Sequence, residues 1–236
     1  SNSKLSKDNP ILNNKDDLKQ KTISKSDVLK KLAKVQSNID LDSFSLCKNN
    51  EDLKVMDQDV LLYEKMYPSV TNILSTTMSS QSLAMLDKWK RKKIEELGEK
   101  GFRDYQQNVF NRGKLLHQNV KLILEGSDPS KVVISENIEK LWTSLQPVLP
   151  LFNNVKLCET PICHPILCYK GIVDCVAFYQ DKLVVVEWKT SERLKPTLRD
   201  VYDNPLQAVA YQGAINYSDK HSFQINEIVL VYSYEN

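Results

Sequence analysis

The stretch Gly171–Lys189, GIVDCVAFYQDKLVVVEWK, decides the fold of this chain. Ile172, Val173, Cys175, Val176, Ala177 and Phe178 form one apolar, β-rich run, and Leu183, Val184, Val185 and Val186 form a second. Gln180-Asp181-Lys182 supplies a polar turn between them, so the pattern predicts a β-hairpin. Near-continuous apolar runs predict strands covered on both faces. Into this hairpin the sequence sets three charges: Asp174 on the first strand, then Glu187 and Lys189 at the end of the second. Side chains alternate along a strand, so Glu187 and Lys189 share a face and Trp188 points to the other. A buried sheet rarely holds Asp, Glu and Lys together unless they are paired or bind a metal.

Two chemistries satisfy that rule. One is a buried salt bridge from Lys189 to Asp174 or Glu187. The other is a metal-dependent phosphodiesterase centre. There, carboxylates hold one or two Mg²⁺ ions, the metal polarises a phosphoryl oxygen and lowers the pKa of bound water, and Lys189 orients the attacking water or offsets transition-state charge. The hairpin alone leaves both open.

The flanking segments predict helices. Val109, Leu116 and Val120 follow helical spacing around His117, which reads either as a core histidine or as a site residue. Gly113 lies four residues before His117, where a helix-interior glycine costs about 1 kcal/mol and suggests close approach of a backbone or ligand. Downstream, Asn204 suits an N-cap and Pro205 the first helical turn. Gln207 and Tyr211 lie four apart and share a face, as an ordinary interfacial pair or as partners of Lys189.

Taken together, Arg112-Gly113-Lys114-Leu115-Leu116-His117, Asp174, Glu187-Trp188-Lys189 and Gln207-Ala208-Val209-Ala210-Tyr211 resemble the PD-(D/E)XK nuclease superfamily, and within it the RecB-like exonucleases. The likeness covers about residues 67 to 233. A narrower likeness, to mitochondrial exonucleases of animals, is carried by Asn204–Tyr211 and Trp188–Glu192. The resemblance implies an α/β restriction-endonuclease-like core, a mixed central β-sheet flanked by helices. It implies a Mg²⁺- or Mn²⁺-dependent deoxyribonuclease that prefers single-stranded DNA with free ends and processes flaps and linear DNA in mitochondria. It implies Asp174, Glu187, His117 and the Trp188 carbonyl as metal ligands and Lys189 as the catalytic base or water-positioning group. Gln207, Tyr211 and Arg112 then serve the lysine and the substrate. The family pattern has Asp before Trp-Lys, whereas this chain has Glu187, one methylene longer. A structure-selective endonuclease on the same fold, and a nuclease-like module that binds single strands without cutting, are the alternatives.

Composition bounds the rest. A chain of 236 residues can bury one sizeable core. Its charge of +2 does not by itself mark a nucleic-acid binder, and no apolar run approaches a membrane span. Lys88, Lys90, Arg91, Lys92 and Lys93 cluster on a predicted helix whose apolar side is Leu83, Leu86, Ile94 and Leu97. This run reads as a solvated face or a track for phosphates. Trp89, Phe102, Tyr105 and Trp142 offer base-stacking surfaces or core packing. Five cysteines without a secretory leader suit a reducing compartment. No cysteine follows Cys175, so no iron–sulfur cluster of the RecB-like kind is expected. Cys158, Cys163 and Cys168 lack the paired CxxC knuckles of a zinc site. Glu159 and His164 border the site or simply end a strand.

Residues 1 to 60 read as a polar, partly flexible extension, and 61 to 236 as the nuclease domain. No Arg-rich presequence is visible, so a mitochondrial location implies one removed or omitted. The resemblance also implies more helix beyond the predicted strand Ile228–Tyr234, and a monomer is expected.

Overall fold

The computed structural model describes residues 67–235, so the N-terminal extension lies outside the described residues. Two short β-turn residues fix the hairpin. Gln180 and Asp181 both have positive φ (48° and 62°), the signature of the two-residue turn whose twist matches the flanking strands. The turn joins β2 (Tyr169–Tyr179) to β3 (Lys182–Ser191), in the register Tyr179↔Lys182 to Cys175↔Val186. β1 (Phe152–His164) pairs antiparallel with β2, and β4 (Glu227–Tyr234) pairs parallel with β3. The sheet is therefore mixed, in the order β1-β2-β3-β4.

Both faces are covered, as the apolar runs predict. Val173 and Cys175–Ala177 on β2, and Val184–Val186 with Trp188 on β3, are buried. One face packs Cys175, Val184, Val186 and Trp188 against Leu116 and Val120 of helix α2 (Ser80–Leu124) and Leu141, Trp142 and Leu145 of α3 (Glu139–Leu145). The other packs Val173, Val176 and Val185 against Ala208, Tyr211, Ala214 and Ile215 of α4 (Asn204–Tyr217) and Val70 of α1 (Val70–Thr76).

The two predicted helices before the sheet are observed, while three finer expectations need correction. The helix around the basic run and the helix around His117 meet at Gly98, whose φ of 70° and ψ of 166° are non-helical. The break turns the chain sharply. Trp89 touches Phe102 (ring centroids 6.0 Å) and Tyr105 (6.4 Å), whereas a straight helix would put 13 residues about 20 Å apart. Leu83 and Leu97 are 48% and 44% exposed, so the first arm is not a simple amphipathic helix laid on the core. Val109 and Phe110 are exposed as well, and the second arm meets the sheet core through Leu116, Val120, Ile123 and Leu124. Finally, α4 begins at Asn204 with Asp203 in the N-cap position, because the Asn204 amide donates to the Tyr232 hydroxyl of β4 (2.5 Å). Pro205 still occupies the first turn.

Candidate active site

The hairpin brings its three charges to one end. Asp174 sits where β2 leaves β3, and its Oδ2 accepts the Trp188 backbone N–H (2.9 Å). Glu187, 1% exposed, accepts at Oε1 from Lys189 Nζ (2.7 Å) and from Gln207 Nε2 (2.5 Å). Lys189 also donates to Gln207 Oε1 (3.1 Å), and Gln207 Nε2 donates to the Tyr211 hydroxyl (3.1 Å). Gln207 and Tyr211 therefore form one network with Glu187 and Lys189, not an independent interface. Tyr211 reaches it because β2 carries Gly171 opposite: a Cβ there would lie 2.3 Å from the Tyr211 ring.

His117 arrives from α2. Its Nδ1 lies 3.1 Å from Glu159 Oε1 and 3.6 Å from Asp174 Oδ1, and its Nε2 lies 3.1 Å from the Trp188 carbonyl oxygen. Both hydrogen-bond partners are acceptors when Glu159 is ionised. A neutral imidazole has one N–H, so satisfying both then requires the imidazolium. The electrostatics agree. Burial opposes protonation of His117, but the Glu159 hydrogen bond and the charges of Asp174, Glu159 and Glu187 outweigh it and raise its pKa. Burial also raises Asp174, against the pull of His117, the Trp188 N–H and Lys189. Burial, then the nearby Asp174 charge, pushes Glu187 up to about 7 despite Lys189.

These shifts mark a site with more carboxylate than its own cations stabilise. Among the described residues, one group of His, Cys, Asp or Glu ligands is close enough to share an ion: His117, Glu159 and Asp174, with ligand atoms all within 4.8 Å. The Trp188 carbonyl faces the same histidine. Glu187 lies outside this trio, yet its Oε2 is buried without a hydrogen-bond partner. A divalent cation fits this all-oxygen-plus-imidazole set.

The sequence placed Glu159 only at the border of the site. Its φ of 46° is unusual for a non-glycine, and such conformations cluster at functional sites. His164 has a different role: it is fully buried, stacks on Tyr217 (4.6 Å) and lies tilted against Tyr169 (5.2 Å), and burial lowers its pKa to about 4. Gly113 meets no close protein neighbour, since a Cβ there would touch nothing within 4 Å.

A groove of about 740 Å³ opens beside Lys189. Arg112 lines it and pairs with Glu235. From the basic run Lys93 reaches the groove, whereas Lys88 and Arg91 are exposed and Arg91 pairs with Asp87 (3.7 Å). Lys88, Lys90 and Arg91 are not among its lining residues. Trp89 and Tyr105 face the groove, while Phe102 and Trp142 are core residues.

A mixed α/β sheet that gathers His117, two acids and a third acid paired to a lysine defines a class: an α/β protein with a carboxylate–lysine centre suited to a divalent cation. No protein-family model matches the chain. The chain is similar to mitochondrial genome maintenance exonuclease 1 of Homo sapiens (42% identity over 176 residues, 74% of this chain and 51% of that protein). It is also similar to the proteins of that name from Xenopus tropicalis (43% over 168 residues, 71% and 48%) and Mus musculus (38% over 190 residues, 80% and 56%). It thus spans about half the length of these curated relatives.

Proposed function

We propose that residues 61–236 form a PD-(D/E)XK nuclease domain that hydrolyses DNA phosphodiester bonds with bound Mg²⁺ or Mn²⁺. It acts as an exonuclease on single-stranded ends, including flaps and linear DNA, in the maintenance of mitochondrial DNA. It works as a monomer without an iron–sulfur cluster. The observation that carries this reading is the convergence of His117, Glu159 and Asp174 within 4.8 Å, next to a lysine held by Glu187 and Gln207. The similarity to the three exonucleases supports the substrate and the location.

His117, Glu159, Asp174 and the Trp188 carbonyl would hold the cation, with Glu187 contributing its unpartnered oxygen. The bound ion supplies a polarised phosphoryl oxygen and a water of lowered pKa. The rest of the work belongs to the protein. The Trp188 N–H fixes the Asp174 carboxylate. Glu187 and Gln207 hold two Nζ donor directions of Lys189, leaving a third for the attacking water or a phosphate oxygen. Tyr211 orients Gln207, and burial keeps bulk water from screening these charges.

The test is digestion of end-labelled linear single-stranded DNA in Mg²⁺, Mn²⁺ or EDTA, with Lys189→Ala as the comparison and circular single strands in parallel. Metal-dependent shortening of linear strands that Lys189→Ala abolishes is expected. Cutting of circles would replace the exonuclease reading with an endonuclease. Tight binding without cutting in either metal would leave a binding module.

A further inference from the structure

Tyr202 occupies a backbone position that favours glycine. Its φ of 51° and ψ of −130°, followed by −87° and 4° at Asp203, are those of the central residues of a type II′ turn. A tyrosine there is strained, and burial does not compensate, because Tyr202 is 72% exposed. Instead the turn holds the ring at the groove beside Lys189. Lys195 Nζ lies over it, 4.9 Å from the ring centroid. Lys195 is anchored in turn, since its backbone N–H donates to the Tyr234 hydroxyl (3.1 Å). An aromatic face with a cation on it presents the two groups a nucleotide offers partners for: a base and a phosphate.

The remaining lining suits the same ligand. Of its five lining cations, Lys93, Arg112 and Lys189 are paired with Glu96 (3.3 Å), Glu235 and Glu187 (2.7 Å). Arg193 and Lys195 have no ion-pair partner among the described residues, and the lining acid Glu192 accepts from the Tyr105 hydroxyl (2.9 Å). Phe110, 65% exposed, adds a second open ring on the α2 side. A groove with net positive lining and exposed rings matches a polyanion whose bases are unpaired, because a duplex presents stacked bases that rings cannot reach.

Resting on the nuclease reading, we propose that Tyr202 and Lys195 form a nucleotide subsite. The Tyr202 ring stacks on an unpaired base of the DNA strand, and Lys195 takes an adjoining phosphate, holding the strand in register with Lys189. The subsite binds by the face of the base and therefore accepts any base.

Fluorescence anisotropy of a labelled oligodeoxythymidylate, in EDTA so that nothing is cut, tests this directly. A fully abasic strand of the same length serves as the second probe. Tyr202→Gly removes the ring and relieves the turn, so misfolding does not confound it. Tyr202→Phe keeps the ring. The expected result is that Tyr202→Gly binds the thymidylate about fivefold to tenfold more weakly than the parent. Tyr202→Phe matches the parent, and all three bind the abasic strand alike. In Mg²⁺ the Gly variant then raises KM and leaves kcat largely unchanged. Equal affinity of parent and Tyr202→Gly for thymidylate overturns the subsite, as does an equal loss on the abasic strand. A parent that discriminates the two strands but cuts neither preserves the subsite and removes the hydrolytic function. A parent that binds no strand removes both.

Discussion

Replacing Glu187 with Gln should flatten the loss of stability that the protein suffers as pH rises. Glu187 is 1% exposed, and burial with the Asp174 charge pushes its carboxyl from 4.5 to about 7. A raised carboxyl pKa means that the folded state binds the proton more tightly than the unfolded chain. The group's contribution is fully present below about pH 4.5 and is lost as pH climbs through about 7. That interval corresponds to about 3 kcal/mol. Gln keeps an oxygen for Lys189 but deprives the ammonium of a charged partner, so a net difference of about 1–2 kcal/mol is expected. The assay is urea unfolding of parent and Glu187→Gln in EDTA at pH 5 and pH 8. His117 and Asp174 are raised too and change stability in the same direction in both proteins. The informative quantity is therefore how much less the variant loses between the two pH values. Parallel losses would show that Glu187 ionises as freely as an exposed carboxyl, and the account of the site's electrostatics would fall.

Three more outcomes follow from the same geometry. Mg²⁺ should raise Tm more at pH 8 than at pH 6, because His117, raised from 6.5, and Glu187, at about 7, shed protons over that interval before the site can bind it; equal shifts in thermal scans would contradict this. Glu159→Gln should remove most of the Mg²⁺-induced rise in Tm and lower the cutting rate about tenfold or more, since it neutralises one of the three clustered ligands; an unchanged rise would place the ion elsewhere. Gly171→Ala should destabilise the fold by about 1–3 kcal/mol, because its Cβ would meet the Tyr211 ring at 2.3 Å. Combined with Tyr211→Leu, that penalty should be less than additive, which a double-mutant cycle by urea unfolding measures.

The hairpin was legible because its signal is redundant. Two apolar runs, a polar turn and no alternation leave few options, and both faces are covered as the pattern requires. A spacing of four put Gln207 and Tyr211 on one helix face, but only the family resemblance tied them to Lys189. β1 was not legible. Its sequence, FNNVKLCETPICH, alternates poorly, and a register shift lies between Asn153 and Leu157. No periodicity therefore assigns Glu159 to Asp174 rather than to solvent. The reversal at Gly98 was hidden for another reason. Leu83, Leu86, Ile94 and Leu97 obey helical spacing, but spacing does not reveal that Trp89 finds its partners across a kink. Tyr202 was invisible as well, since a glycine-favouring turn filled by tyrosine carries no glycine to announce it.

The glutamate at 187 then has a physical reading. A buried carboxylate normally spends both oxygens on donors. Here Oε1 takes Lys189 and Gln207, while Oε2 is buried without a partner. An ordinary structural salt bridge would not leave that oxygen bare, because the fold would bear its desolvation without return. Nor would it surround the pair with Asp174, Glu159 and a histidine whose two nitrogens both face acceptors. Burial disfavours the charges of Asp174 and Glu187, and on the proposed reading a divalent cation beside them would offset that cost. On the proposed reading, the extra methylene of Glu187 brings one oxygen to Lys189 and would leave the other to the ion. The lysine and the metal would then be tied through one side chain, and Glu187→Asp would have to choose between them.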